Sequence, residues 1–378
     1  MPRRPPQFTC LYSIQPRPQE RKGFNVLELG IPGGQSTLVT VVKWGWNFIY
    51  NRLLVELAPQ DESGSYTRTG YNVKAGSLGD ERFPIDRGRY HIYVGNPCPW
   101  CHRVQLAHTL YQLQDLISIS AVADDPTKAR RGGWYFSQDK RDPIWNEPDL
   151  LGVYNRCNPV DKHKQFIGRC TLPLLVDIKT QTIISNESKD IVRMLRAASR
   201  GPDLASEHVH DAMEHLQLFV YEKINNGVYR CGFSSKQEAY DVAVKDVFEG
   251  LDKIDEILAH KKFLHGDKVM ETDIFLLPTA VRFDAIYHHF FKCGLTTIEK
   301  SYPNIQRWME DMHRIPRIRK CFDLIDAKRS YHKQLFPLNP SGIVYVTQEQ
   351  NYFNMLDKVA ESEEARKESI EENIKFSS

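Results

Sequence analysis

Little in this sequence fixes a function by composition alone. Its 50 lysines and arginines stand against 48 aspartates and glutamates, so over 378 residues no global field singles out nucleic acid or an anionic membrane as a partner. Uninterrupted apolar runs of membrane length are missing too. The most apolar stretch, STLVTVVKWGWNFIYNRLLVEL, is broken by Lys43, Asn47, Asn51 and Arg52, which argues against stable membrane insertion. It is expected to form an amphipathic helix packing on the body of the protein. No internal repeat is present. The single Cys-x-x-Cys has no second Cys-x-x-Cys or His-x₃-His pair to complete a zinc site, so no metal is expected. Eight scattered cysteines without a secretory signal read as reduced thiols of a cytoplasmic protein, not as a disulfide framework. The first 22 residues, MPRRPPQFTCLYSIQPRPQERK, are basic enough for a plastid or other organellar transit peptide, but their prolines suit a disordered arm better.

What is present has the length and hydrophobic content for two domains with real cores. Residues 1–88 read as an N-terminal extension and linker, ending in the Gly-, Ser-, Asp- and Pro-rich run 58–88. From there RYHIYV alternates like a half-buried strand, NPCPWC turns, and HRVQLAHTLYQL has helical apolar spacing. LISISAVA is a second strand and residues 124–169 read as loop. PLLVD and TIISN form a hairpin, and ESKDIVRMLRAA is a helix. Strand, helix, strand, insert, hairpin, helix is an α/β thioredoxin-like order, which assigns residues 89–200 to one domain. Residues 203–345 carry almost only helical signals, such as EAYDVAVKDVFEGLDKIDEILAH, and form an all-α domain. Residues 346–378 are a charge-dense tail with Glu363/Lys367 and Glu371/Lys375 at helical spacing.

The chemistry concentrates in GNPCPWCHRV, residues 95–104. Pro99 suits the first position of a helix, where its missing N–H is no loss, and this puts Cys98 at the N-cap. Unpaired backbone N–H groups and the positive end of the helix dipole stabilise a thiolate there, and His102 and Arg103 offer further positive charge. Cys101, one turn inside the helix, is a candidate resolving thiol; burial of both cysteines as small hydrophobes is a lesser competing reading. Pro173 in TLPLLVD is either a cis proline that presents the Leu172 backbone beside the cysteine, ready to pair with a peptide-like ligand, or an ordinary trans proline opening an edge strand. SNESKDI opens a helix. Its first turn serves equally as a normal helix start or as a clamp, with Ser188 and backbone N–H groups on a carboxylate and Glu187 on an ammonium, the two charges of a γ-glutamyl group. Trp134 in the glycine-rich RRGGWYF either pins its loop or walls a pocket.

Together these motifs resemble those of the Xi-class glutathione transferases, the glutathionyl-hydroquinone reductases. The resemblance runs from WNFIYNRLLVELAPQDESGSYTR to LNPSGIV and rests on CPWCHR, DDPTKARRGGWYF, GRCTLPLLVD, SNESKDIVRML, INNGVYRCGF, FLHGDKVMETDIFLLPTAVRFDAIYHHFFKC and YPNIQRW. It implies a thioredoxin-like N-terminal domain, an all-α glutathione-transferase C-terminal domain and a homodimer. Glutathione would be the co-substrate and an aromatic hydroquinone conjugate the substrate. Carried over by motif, Cys98 is the nucleophile that takes glutathione from the ring as a mixed disulfide. Trp134, Arg169, Leu172, Pro173, Glu187 and Ser188 fall at glutathione-binding positions, and Tyr229, Tyr287 and Tyr331 at tyrosines facing the hydroquinone. Three departures stand out. Cys101 replaces an alanine frequent in relatives, and His332 follows Tyr331 where relatives have a second tyrosine. Met270-Glu271-Thr272-Asp273 keeps the acid of a helix-start box without its capping partner. Two other functions fit parts of the pattern: a dithiol glutaredoxin-like oxidoreductase using Cys101, and a non-catalytic binding protein resembling the intracellular chloride channel proteins.

Overall fold

The strand Tyr90–Val94 (β1) is buried along its whole length, because it lies inside a four-stranded sheet of order β2-β1-β5-β6. The computed structural model describes residues 34–346 apart from 69, 71, 138, 159, 160 and 162; the basic arm and the charged tail lie outside the described residues. β2 (Ile117–Ala121) runs parallel to β1, whereas β5 (Leu174–Asp177) is antiparallel to it and pairs with β6 (Thr182–Ser185). The alternation in RYHIYV thus reflects buried polar groups with partners, not a solvent-facing side. His91 bridges Ser118 and Ser120 at 2.7 Å each, and the Tyr93 hydroxyl donates to Asp142 at 2.7 Å. A small second sheet pairs β3 (Ala123–Asp124) with β4 (Trp134–Tyr135).

Helix α1 spans Gly34–Leu57. The described residues 34–53 and 54–346 fall in two units, and most of α1 belongs to the first. The helix forms as expected; Leu54 near its end is buried, whereas Trp44 is 71 % exposed and Trp46, Phe48 and Ile49 are exposed as well. The physical reason is that its apolar residues lie all round the helix, so no single face gathers them. No helix among the described residues is long and apolar enough to cross a membrane.

Within the second unit, α2 (Pro99–Leu110) and α4 (Ser188–Arg196) pack together beside the sheet. Between them the expected loop contains a short helix, α3 (Leu150–Arg156). Asp149 caps it by accepting from Gly152 N–H at 3.1 Å, and Arg130 holds the same carboxylate through two further side-chain bonds. The helical region follows with α5 (His210–Val220), α6 (Gly227–Phe233), α7 (Gln237–Ala259) and α8 (Glu271–Arg282). In α7, Ala239, Ala243, Val247, Leu251, Ile254 and Leu258 are buried at spacings of three and four, the stripe that a helix on a core requires. α8 is buried throughout and packs against α2, which couples the helical region to the cysteine turn. At the start of α8 the Asp273 carboxylate accepts from Met270 N–H at 2.9 Å, Leu264 N–H at 3.0 Å and the Trp308 indole at 2.9 Å. The acid of the helix-start box therefore anchors three segments.

Candidate active site

β1 delivers the chain to Gly95, and the turn 95–98 feeds α2 with Cys98 as N-cap and Pro99 in the first helical position. Cys98 has extended backbone angles (φ −76°, ψ 115°), so its sulfur points back across the helix start and accepts Cys101 N–H at 3.4 Å. It is partly exposed, whereas Cys101 is fully buried. Burial pushes the Cys98 thiol up. The Cys101 S–H and N–H groups, the Arg282 guanidinium and Trp100 N–H outweigh that and bring it down to about 7. Burial first, and then its bond to Cys98, push the Cys101 thiol well above the usual cysteine range. Cys98 thus carries the more acidic sulfur, and Cys101 is the thiol that donates to it.

The Cys98 value gives a measurable expectation. The rate at which iodoacetamide alkylates Cys98 rises with pH and levels off above a midpoint near 7, about one and a half units below an ordinary cysteine. Because the folded-state pKa is depressed, the thiolate stabilises the fold fully above the unfolded value of about 8.5. That contribution, about 2 kcal/mol at most, is lost as pH falls through 7.

Around the sulfur the structure gathers most of the residues expected from the sequence. The Leu172–Pro173 bond is cis, and Leu172 C=O lies 3.8 Å from Cys98 Sγ. Trp134 packs closely on the glycine before the turn: a Cβ on Gly95 would sit 2.4 Å from the ring. The loop before Trp134 is held equally closely, since Gly132 has φ +78° and its hydrogen faces Cys170 C=O. Glu187 caps α4, accepting from Lys189 N–H at 3.4 Å and from the Ser188 hydroxyl at 3.3 Å. Arg169 is engaged elsewhere, donating to the Glu56 and Leu57 carbonyls at the end of α1 at 2.8 and 2.7 Å. Its charge faces Tyr66.

The helical region contributes three phenols from distant parts of the chain. Tyr331 sits at the centre, its hydroxyl 2.8 Å from that of Tyr229 and 3.1 Å from that of Tyr287. Burial raises all three phenols, so they stay protonated and act as donors, and the charge on Cys98 is felt by both Tyr229 and Tyr287. Phe233 and Phe291 close the cluster by ring contacts with Tyr229 at 6.2 and 5.2 Å. His332 is turned away from the hydroxyl chain: its Nδ1 meets Lys328 C=O at 2.7 Å and its ring lies on Phe290 and Tyr345. The missing second tyrosine leaves the three-phenol chain intact.

Sequence reasoning put positive charge on both residues after Cys101, and only one of them carries it. His102 is fully buried and receives the Arg282 guanidinium on Nδ1 at 3.2 Å, so its ring is neutral, with its pKa pushed well down by burial and by that cation. Arg103 is buried between Trp100 (4.3 Å) and Phe275 (4.9 Å). Three contributors escaped the sequence altogether: Arg68 stacked 3.7 Å over Trp100, Tyr66 beside Tyr229, and Arg282. The first two belong to a stretch that reads as linker, and the last looks like an ordinary basic residue at a helix end.

Models of the glutathione S-transferase N-terminal and C-terminal domains match residues 97–198 and 237–311. Glutathionyl-hydroquinone reductase PcpF of Sphingobium chlorophenolicum is 36 % identical over 76 % of this chain and 91 % of its own. The chain belongs to the Xi-class glutathione transferase family. Among solved structures, the Xi glutathione S-transferase of Phanerochaete chrysosporium superposes with a TM-score of 0.69 at 32 % identity, covering 76 % of this chain and 94 % of that one. The glutathione-bound YqjG of Escherichia coli K-12 gives 0.65 at 32 % identity, covering 75 % and 89 %. The Xi-class family supplies the frame for the site: the Cys98 turn and the α4 start lie within the N-terminal domain match. Of the three phenols, Tyr287 lies within the C-terminal domain match, whereas Tyr229 and Tyr331 lie outside both matched segments and join it through their hydroxyl bonds in the folded chain.

Proposed function

We propose that this enzyme reduces glutathionyl-hydroquinones with glutathione as co-substrate. The observation that carries the reading is a partly exposed, acidified Cys98 sulfur 3.8 Å from the Leu172 carbonyl, with a chain of three protonated phenols beside it. The family membership and the relatives named glutathionyl-hydroquinone reductase support it.

In the first step the Cys98 thiolate attacks the glutathione sulfur of the conjugate. A sulfur–sulfur bond forms, the sulfur–ring bond breaks, and the ring carbon takes the electron pair and a proton, leaving as hydroquinone. A second glutathione thiolate then attacks the mixed disulfide, returning Cys98 as thiolate and releasing oxidised glutathione. The ring gains two electrons and a proton, and the conjugate's thioether sulfur and one glutathione thiol are oxidised to the disulfide. Glu187 and the start of α4 hold the γ-glutamyl end with Ser188, the Leu172–Pro173 backbone pairs with the peptide, and Trp134 walls the glutathione site, while Arg169 fastens the end of α1. Tyr229, Tyr287 and Tyr331 donate to the hydroquinone oxygens as charge develops on them. Cys101 stabilises the thiolate and does not resolve the mixed disulfide, since its own sulfur is buried and strongly protonated. Residues 89–200 and 203–345 serve as the glutathione-binding and hydroquinone-binding domains of a cytoplasmic homodimer.

Tyr331→Phe removes both hydroxyl bonds at once. It is expected to lower kcat by about 10²-fold while leaving the KM for glutathione within about twofold, as measured by steady-state kinetics. The reading itself is tested by mixing enzyme, glutathione and a glutathionyl-hydroquinone and quantifying products. Equal amounts of free hydroquinone and oxidised glutathione are expected; hydroquinone formed without oxidised glutathione would overturn it.

A further inference from the structure

Arg282, the last residue of α8, is fully buried, yet it has no carboxylate bonded to it among the described residues. All its bonds go to neutral acceptors. Its guanidinium donates to Asn96 C=O at 2.9 Å, Pro97 C=O at 3.3 Å, Pro278 C=O at 2.8 Å and the neutral His102 Nδ1 at 3.2 Å. The Phe322 ring covers its face, 4.0 Å from the guanidinium carbon. A guanidinium does not deprotonate at ordinary pH, and an uncompensated buried cation is costly, so a compensating anion is required close by. Two of the three carbonyls that Arg282 grips, those of Asn96 and Pro97, belong to the residues directly before Cys98.

We propose that Arg282 is a positioning residue whose fixed charge is balanced by the Cys98 thiolate, and whose bonds to Asn96 and Pro97 lock the nucleophile's turn to the helical domain. The inference rests on Cys98 being the nucleophile. The other groups facing that sulfur do not supply the charge in the same way. Cys101 is a neutral thiol, His102 is uncharged, and Tyr229 and Tyr287 are protonated phenols. Arg103 is cationic, but it is enclosed by Trp100 and Phe275 and faces Glu187 as well. Arg282 also leads directly into the π-helical turn Phe283–Tyr287, so one short segment sets both the thiolate and a substrate-facing phenol.

The test is the pH dependence of Cys98 alkylation in the full-length chain, which needs no hydroquinone substrate. Arg282→Gln keeps a hydrogen-bond donor but removes the charge. Because the Cys101 bonds remain, its midpoint is expected to rise from near 7 by about one unit, a fall in thiolate at pH 7 of roughly fivefold. Arg282→Lys keeps the charge without the planar fork, and it is expected to restore the midpoint to within about half a unit. A midpoint still near 7 in Arg282→Gln overturns the proposal while leaving Cys98 as nucleophile. A wild-type midpoint near 8.5 removes the nucleophile reading itself. If neither variant folds, the wild-type chain decides against Cys98→Ser. Their difference in Tm should widen as pH rises through 7 if a buried cation is balanced by the thiolate, and a flat difference from pH 6 to 9 overturns it.

Discussion

Cys98→Ser is expected to slow release of hydroquinone from a glutathionyl-hydroquinone by at least about a thousandfold, the scale of loss when a covalent nucleophile is removed. Two physical differences add up. A serine hydroxyl has no accessible anion near pH 7, whereas the helix start, the Cys101 donors and Arg282 hold the Cys98 thiol near that pH against the cost of burial. Oxygen is also a poor partner for the sulfur–sulfur exchange that carries glutathione away from the ring. The fold itself should survive, because the N-cap position accepts serine readily. Single-turnover kinetics with folded Cys98→Ser read the effect directly. Under the same conditions Cys101→Ser should keep most of the turnover, since a serine hydroxyl still donates to the thiolate from the same turn.

Asp273→Ala is expected to cost about 3 kcal/mol or more, the largest stability loss of any single change considered, without touching the reacting groups. The carboxylate holds the N–H groups of Met270 and Leu264 and the Trp308 indole, all buried, and alanine leaves three donors without partners at roughly 1–3 kcal/mol each. A fall in Tm on the order of 5–10 °C should follow for a chain of this size. Asp273→Asn keeps one acceptor oxygen and should lie between alanine and wild type. Because α8 carries Arg282 and leads into Tyr287, partial loosening of its start should also lower kcat before the chain unfolds.

The comparison of sequence with structure turns on where partners come from. Cys98 was legible because its position depends on local chain geometry: a proline on either side and a helix beginning at once. The helix start at Glu187 and Ser188 is legible for the same reason, a cap written in consecutive residues. β1 was misjudged because His91 and Tyr93 alternate with apolar residues as a surface strand does, and the Ser118, Ser120 and Asp142 partners that allow their burial are 27 to 49 residues away. α3 was missed because a seven-residue helix carries little periodicity, and the Arg130 that secures its cap lies 19 residues upstream. Arg282 could not be recognised at all: its bonds to Asn96 and Pro97 span more than 180 residues. The helix at 34–57 is legible as a helix from its composition.

The central claim is that one thiol, Cys98, carries glutathione between the ring and a second glutathione. It is tested most directly by mixing the wild-type enzyme with excess glutathionyl-hydroquinone in the absence of free glutathione, then determining intact mass and mapping the modified peptide. The account predicts one hydroquinone released per chain and one glutathione in disulfide linkage at Cys98, with Cys101 still a free thiol. Hydroquinone release with an unmodified Cys98, or with Cys98 and Cys101 joined as an internal disulfide, would contradict it.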